Sequence, residues 1–412
     1  MPTRLRGRFA RARPDASAAA FPRSAKPAHV QVNSRAIDSV NYVGETTNII
    51  EPAKSSQRDI QALAGLSSAV LPILATRPKI MRALELRAYD GVSLVYVNNR
   101  PVPQPAPGEV LVRVHAAPVG PADLLFLHGR YGVQRPLPIV PGVECSGLVV
   151  GSGGGLLARA LVGRRVACVV SSSGDGTWAE YVCVPAWQCI PLRSFVSYEQ
   201  GAALLSTGIM AWALLDAARA RGTRGVAHTA ADSQLGLMLA QLAMRRRLPM
   251  LHIIDRAEQG EPLAGLGATQ ILNSTSTQYP QQLASSFENL GISVVLEANA
   301  GLNTDLLLKA LPTGGSLIMC GAQPDIDCTF DPSELVFRHK RLEGFLLTDW
   351  LHNTGYARVV QAGLVVQRLL GNEVRPENQS LMSLDNYHTA LELIFRRRMG
   401  SGQILFAPVR DN

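Results

Sequence analysis

Residues 224–230 form a short β-like run, Ala231-Asp-Ser-Gln-Leu-Gly236 a turn, residues 237–247 a strongly helical stretch, and residues 250–254 a second β-like run ending in Asp255-Arg256. Strand, turn, helix and strand in that order make one βαβ unit, and this commits the surrounding chain to an α/β layer architecture. Asp255 follows Gly236 by nineteen residues. The spacing suits a dinucleotide: free N–H groups at the helix start face a pyrophosphate, and the residue closing the second strand meets a ribose. A GxGxxG fingerprint carries three glycines, whereas here Gly236 stands alone, in the place of the last. By themselves these residues fit a cofactor site and a plain βαβ unit equally.

More βα units follow. Residues 270–272, 293–297 and 316–321 read as strands with helical patterns between them, so that 206–339 forms one α/β domain. Ahead of it, residues 109–115 alternate apolar and polar as a half-buried strand does. Short strands are expected at 147–150, 165–170 and 179–184, between glycine-rich turns. Residues 199–220 read as helices interrupted near Ser206-Thr-Gly208. Residues 378–384 and 403–407 look like strands again, so the C-terminus is expected to return to the first, mostly β domain.

With 412 residues, 47% hydrophobic and 17% charged, the chain has material for two or three domains and is no disordered, collagen-like or coiled-coil protein. It has no run of about 18 apolar residues, as a transmembrane helix requires. Six cysteines without a CxxC pair make neither a disulfide scaffold nor a cysteine-rich zinc site, and fit a reducing compartment. The net charge of +8 is concentrated at the start: residues 1–40 hold eight basic and two acidic residues. An Arg-, Ser- and Ala-rich, acid-poor leader has the composition of a mitochondrial transit peptide; a disordered basic tail and a nucleic-acid arm are the alternatives. Residues 59–71 read as one amphipathic helix ending before Pro72.

Pro121-Ala-Asp123, Gly129-Arg-Tyr-Gly132, Leu137-Pro138 and Pro141-Gly-Val-Glu-Cys-Ser-Gly147 resemble the N-terminal signature of the medium-chain dehydrogenase/reductase superfamily. The Gly-x-Tyr-Gly element, together with Leu342-Glu-Gly-Phe-Leu-Leu-Thr-Asp-Trp350, is similar to the mitochondrial trans-2-enoyl-CoA/ACP reductases, a zinc-free, quinone-reductase-like branch. The resemblance covers residues 81–408. It implies a GroES-like β domain and a Rossmann doubly wound parallel sheet behind a basic N-terminal extension: 1–80 extension, 81–205 GroES-like substrate domain, 206–339 Rossmann domain and 340–412 a return to the GroES-like domain. It also implies a matrix enzyme that uses NADPH or NADH to reduce the C=C bond of an enoyl-CoA or enoyl-ACP.

By the same resemblance Tyr131 is the proton donor. The cofactor positions fall at Thr207, at Asp232, Ser233, Gln234, Leu235 and Gly236, and at Asp255 and Arg256. The remaining ones fall at Cys320, Gly321, Ala322 and Gln323, and at Phe345, Leu346, Leu347 and Thr348. Several depart from the family. Gln234 replaces a glycine, Thr207 an asparagine, Met210 a threonine and Gly402 a lysine, and Asp255 replaces the first arginine of a string that reads the 2′-phosphate of NADPH. An acid there repels a 2′-phosphate and suits a ribose diol.

No zinc is expected. Asp123 stands where zinc-dependent relatives have cysteine, Val143-Glu144 follows Gly142 where they have a His-Glu pair, and the four-cysteine lobe is missing. His115, His128 and His228 read as structural or surface residues. The triplets Arg245-Arg246-Arg247 and Arg396-Arg397-Arg398 read as solvated helix C-caps before nucleic-acid or carrier-protein contacts. Three functional readings follow: an enoyl-thioester reductase, a reductase of quinones or other α,β-unsaturated carbonyls, and a catalytically silent subunit of a mitochondrial assembly. Family members are commonly homodimers joined through their Rossmann sheets, and the apolar strand of residues 315–321 is expected near such an interface.

Overall fold

The protein is described by a computed structural model covering residues 78–132, 134–170, 174–301, 303–321, 328–372, 379–397 and 403–409. The leader and the helix expected at 59–71 lie outside these residues, as do Ala322, Gln323 and Gly402.

A strand pair opens the β domain: β1 (Ile80–Leu86) runs antiparallel to β2 (Leu94–Pro101). The long β3 (Glu109–Val119) organises the rest. One edge pairs along its length with β4 (Glu144–Ser152). The other is shared, first by β6 (Tyr181–Pro185) and then by the C-terminal β15 (Gln403–Phe406). β5 (Arg165–Val169) and β7 (Cys189–Pro191) continue beyond β4. Alternation in β3 and β4 sends Val110, Val112, Val114 and Val149 into a core shared with Trp178 and Phe406, whose rings meet edge to face at 5.1 Å. Helix α1 (Pro121–Leu127) leaves the end of β3 with proline in its first turn, where the missing N–H costs nothing.

The second domain is a six-stranded, all-parallel sheet in the order β10-β9-β8-β11-β12-β13. Its strands are β8 (Gly225–His228), β9 (Met250–Ile254), β10 (Ile271–Asn273), β11 (Ile292–Glu297), β12 (Ser316–Met319) and β13 (Arg341–Gly344). α2 (Met210–Ala220) and α3 (Gln234–Arg245) cover one face through Leu214, Leu239 and Leu242. α4 (Tyr279–Leu290) and α5 (Thr304–Ala310) cover the other through Leu283, Phe287 and Leu307. Strands buried on both faces read as near-continuous apolar runs, as Met250–Ile254 does. The strand order reverses between β8 and β11, and such a reversal leaves a crevice at the strands' C-terminal ends.

Two expectations change. The chain does not leave the parallel sheet at residue 340, because β13 pairs with β12, and α6 (Tyr356–Asn372) adds Val359, Val366 and Leu369 to the core under α2. The return to the β domain begins only at β14 (Gln379–Met382), which pairs with β15. β12, the strand expected at 315–321, lies between β11 and β13, and β13 and β10 stand at the two edges of the sheet. Arg246 is not a solvated cap. Its guanidinium stacks on Trp212 at 4.0 Å and pairs with Asp216 at 3.1 Å, tying α3 to α2. The break expected near Ser206 is real: residues Leu204–Ile209 form a π-helical turn, and a Cβ on Gly208 would meet Val366 Cγ1 at 2.1 Å. The wide turn lets α6 pack against backbone.

Candidate active site

On the β-domain side, α1 is held by its third residue. Asp123 Oδ2 accepts the Gly120 N–H at 2.8 Å and Oδ1 accepts the Val143 N–H at 3.2 Å, joining the helix start to the beginning of β4. The chain then turns through Gly129 (φ 69°) and Gly132 (φ 72°), left-handed conformations that glycine adopts without strain. Tyr131, between them, meets the buried Phe126 ring edge-on at 6.3 Å, and Tyr89 meets the same ring at 5.6 Å. Burial raises the Tyr131 phenol above its ordinary value of 10; Asp123 adds to the rise and Arg135 opposes it. The phenol therefore stays protonated at physiological pH, as a donor must.

Glu144 opens β4 with 3% of its surface exposed. It accepts the Ser206 N–H at 2.9 Å and the Ser206 hydroxyl, so a β-domain carboxyl is bonded to the π-helical turn of the second domain. Burial pushes Glu144 up to about 8 and Asp123 up to about 7. Thr207, half-buried, is the next residue of that turn.

The opposite side is built from strand ends. After β8 the backbone passes through Ala230 at φ 49°, so this alanine takes a conformation that glycine usually supplies. Ser233 caps α3, its hydroxyl accepting the Gly236 N–H at 3.1 Å. A Cβ at Gly236 would lie 2.5 Å from the Ala231 carbonyl oxygen and 2.6 Å from that of Ala230, so the helix start packs directly on the turn. The N–H groups of Gln234 and Leu235 are first-turn donors, unpaired within the helix. The helix start thus offers free backbone donors, although two fingerprint glycines are missing.

At the end of β9, Asp255 accepts a hydrogen bond from the Ser274 hydroxyl at 2.8 Å and from Asn299 Nδ2 at 3.4 Å. Gln259 Oε1 accepts the N–H groups of Asp255 and Arg256, both at 2.9 Å. The Arg256 guanidinium pairs with Glu258 at 3.3 Å. Asp232 is raised, first by burial and then by the Asp255 charge. Two acids therefore line this end, which fits an unphosphorylated ribose and leaves Arg256 as the cation for a 2′-phosphate.

At the end of β11, the buried Glu297 accepts the Thr229 hydroxyl at 2.8 Å and the Asn299 and Ala300 N–H groups at 3.1 and 3.0 Å. Cys320 donates its N–H to the Glu297 carbonyl at 2.9 Å, and a Cβ at Gly321 would meet the Ala298 carbonyl at 2.3 Å. Phe345 follows β13 and donates its N–H to Met319 at 2.8 Å; Leu347 and Thr348 are half-buried, and Leu346 is exposed. Asp232–Gly236, Asp255, Arg256, Cys320, Gly321 and Phe345 thus lie along one edge of the sheet. Sequence reasoning missed Gln259, Ser274, Asn299, Glu297 and Arg135. It named Ser206 without its partner Glu144, 62 positions away. Among the described residues no three His, Cys, Asp or Glu side chains converge to hold a metal ion.

Comparison with known proteins agrees with this architecture. The family described as Alcohol dehydrogenase GroES-like domain matches residues 106–194, and the one described as Zinc-binding dehydrogenase matches residues 235–362. A Rattus norvegicus quinone oxidoreductase is 28% identical over 324 residues, covering 77% of this chain and 97% of its own. A Mus musculus mitochondrial enoyl-[acyl-carrier-protein] reductase is 26% identical over 339 residues, covering 80% and 90%. The solved quinone oxidoreductase of Thermus thermophilus, whose structures include a complex with NADPH, is 28% identical with a TM-score of 0.63, covering 79% of this chain and 100% of its own. With the β domain, the parallel sheet and both matches in place, the chain belongs to the medium-chain dehydrogenase/reductase superfamily of oxidoreductases.

Proposed function

We propose that this protein reduces the C=C bond of a trans-2-enoyl thioester, carried on coenzyme A or an acyl carrier protein, with NADPH or NADH as hydride source. The observation that carries the reading is Tyr131, protonated and braced on Phe126 within the Gly129–Gly132 turn. The name of the mouse mitochondrial relative supports it too. When bound, the nicotinamide supplies a hydride to Cβ. Tyr131 then faces the electron density that moves toward the thioester oxygen and Cα, donates a hydrogen bond to it and delivers its proton to Cα. The α3 N-terminus takes the diphosphate, and Asp255 takes the ribose diol. The names of the rat and Thermus thermophilus relatives favour a second reading, reduction of a quinone in the same cleft.

The full chain is expected to oxidise NADPH with crotonyl-CoA and not with 1,4-naphthoquinone. Tyr131→Phe should lower turnover by about 10²-fold, the usual scale of a general acid. Oxidation with the quinone alone would replace the first reading by the second, and full activity of Tyr131→Phe would remove the tyrosine from the chemistry. The leader's composition supports a mitochondrial matrix location, and the position of β13 at one edge of the parallel sheet supports a homodimer joined sheet to sheet.

A further inference from the structure

Arg135 is 6% exposed, yet among the described residues no carboxylate pairs with it. Its Nη1 donates to the Gly174 carbonyl at 2.8 Å, and its Nε is buried with no partner among the described residues. The neighbouring acids are committed elsewhere. Asp175 receives two bonds from Arg100 at 2.8 Å and the Val140 N–H at 3.0 Å, while Asp123 is bonded to two backbone N–H groups. The guanidinium lies over the Phe126 ring, 4.9 Å from its centroid, and Tyr131 packs on that same ring. A cation buried this far is normally paired, because desolvation is otherwise uncompensated. Desolvation by burial lowers the Arg135 pKa from its ordinary value.

We propose that Arg135 and Tyr131 together form a site for an oxyanion, the carbonyl oxygen of a conjugated carbonyl compound as it becomes an enolate. This deepens the reductase reading and rests on it for the identity of the natural ligand. Hydride addition at Cβ moves the C=C pair into the Cα–carbonyl bond and the carbonyl pair onto oxygen. The guanidinium would hold that oxygen while Tyr131 gives its proton to Cα, so hydride and proton together complete the reduction.

The test uses 4-nitrophenolate, a stable oxyanion, with the full chain and no nicotinamide. The bound phenol, followed by its own absorbance, is expected to ionise about one pH unit or more below the free compound. Arg135→Met should weaken phenolate binding by about tenfold or more, with Arg135→Lys in between. Absence of binding, ionisation at or above the free value, or unchanged affinity in a folded Arg135→Met would each overturn the proposal. The wild-type titration decides even if the methionine variant does not fold. Tight phenolate binding in a protein inactive toward crotonyl-CoA would sink the enoyl-thioester reading and leave the oxyanion site standing.

Discussion

Asp255 carries a negative charge at the exposed end of β9, with Asp232 as a second acid in reach. A carboxylate and a phosphate about 4 Å apart repel by about 1 kcal/mol per charge pair in water. Asp255→Asn should therefore raise the affinity for NADPH relative to NADH by roughly five- to tenfold, measured by nicotinamide fluorescence titration. An unchanged ratio would mean that the 2′ position lies away from this residue. Asp255 was legible as the residue that closes β9 at a fixed distance from Gly236, and Tyr131 through the family resemblance of its Gly-x-Tyr-Gly element. Arg135 was not. Its lack of a carboxylate partner depends on Asp175 being claimed by Arg100, a pairing across 75 positions that no local pattern encodes.

At the scale of elements, the junction of β8 and α3 carries the strongest steric demand at the site. An alanine Cβ at Gly236 would stand 2.5–2.6 Å from two carbonyl oxygens, closer than real contacts allow, so the helix would have to move. Gly236→Ala is expected to destabilise the protein by about 1–3 kcal/mol in urea unfolding and to abolish nicotinamide binding. A variant that melts and binds like the parent would show the turn to be compliant. β9 was legible to the residue, since Met250–Ile254 is apolar at every position but His252 and is bounded by Pro249 and Asp255. β13 was hidden as a strand of the parallel sheet. Among Arg341, Leu342, Glu343 and Gly344 only one side chain is apolar, so an edge strand gave no periodic signal, and the boundary was drawn before it.

For the molecule as a whole, buried ionisable groups pull in opposite directions with pH. His228 Nε2 and His252 Nδ1 lie 2.7 Å apart in the sheet; burial depresses both, His252 to about 4. They favour unfolding as pH falls below about 6.5, where the unfolded chain binds protons that the fold refuses. Asp123 and Glu144 act the other way. Their folded values of about 7 and about 8 exceed the ordinary carboxyl range, so their burial penalty grows as pH rises past about 4 and is complete only above the folded values. Between about pH 4.5 and 6.5 the two sets offset each other. Above that the histidines are neutral in both states while Asp123 and Glu144 go on losing stability, so the contribution of these two carboxyls to Tm should decline from pH 6.5 to 8.5. Glu144→Gln should flatten the decline, Glu144 contributing on the order of 1–2 kcal/mol. A Tm that rises over this interval would mean that Glu144 is already ionised in the fold. The Glu144–Ser206 bond has a mechanical consequence as well. Because it rivets one lobe to the other beneath the cleft, a jaw-like gape would have to strip a solvent-poor acid of its hydroxyl, so traffic of reactant and product should depend on local give in the Tyr131 loop.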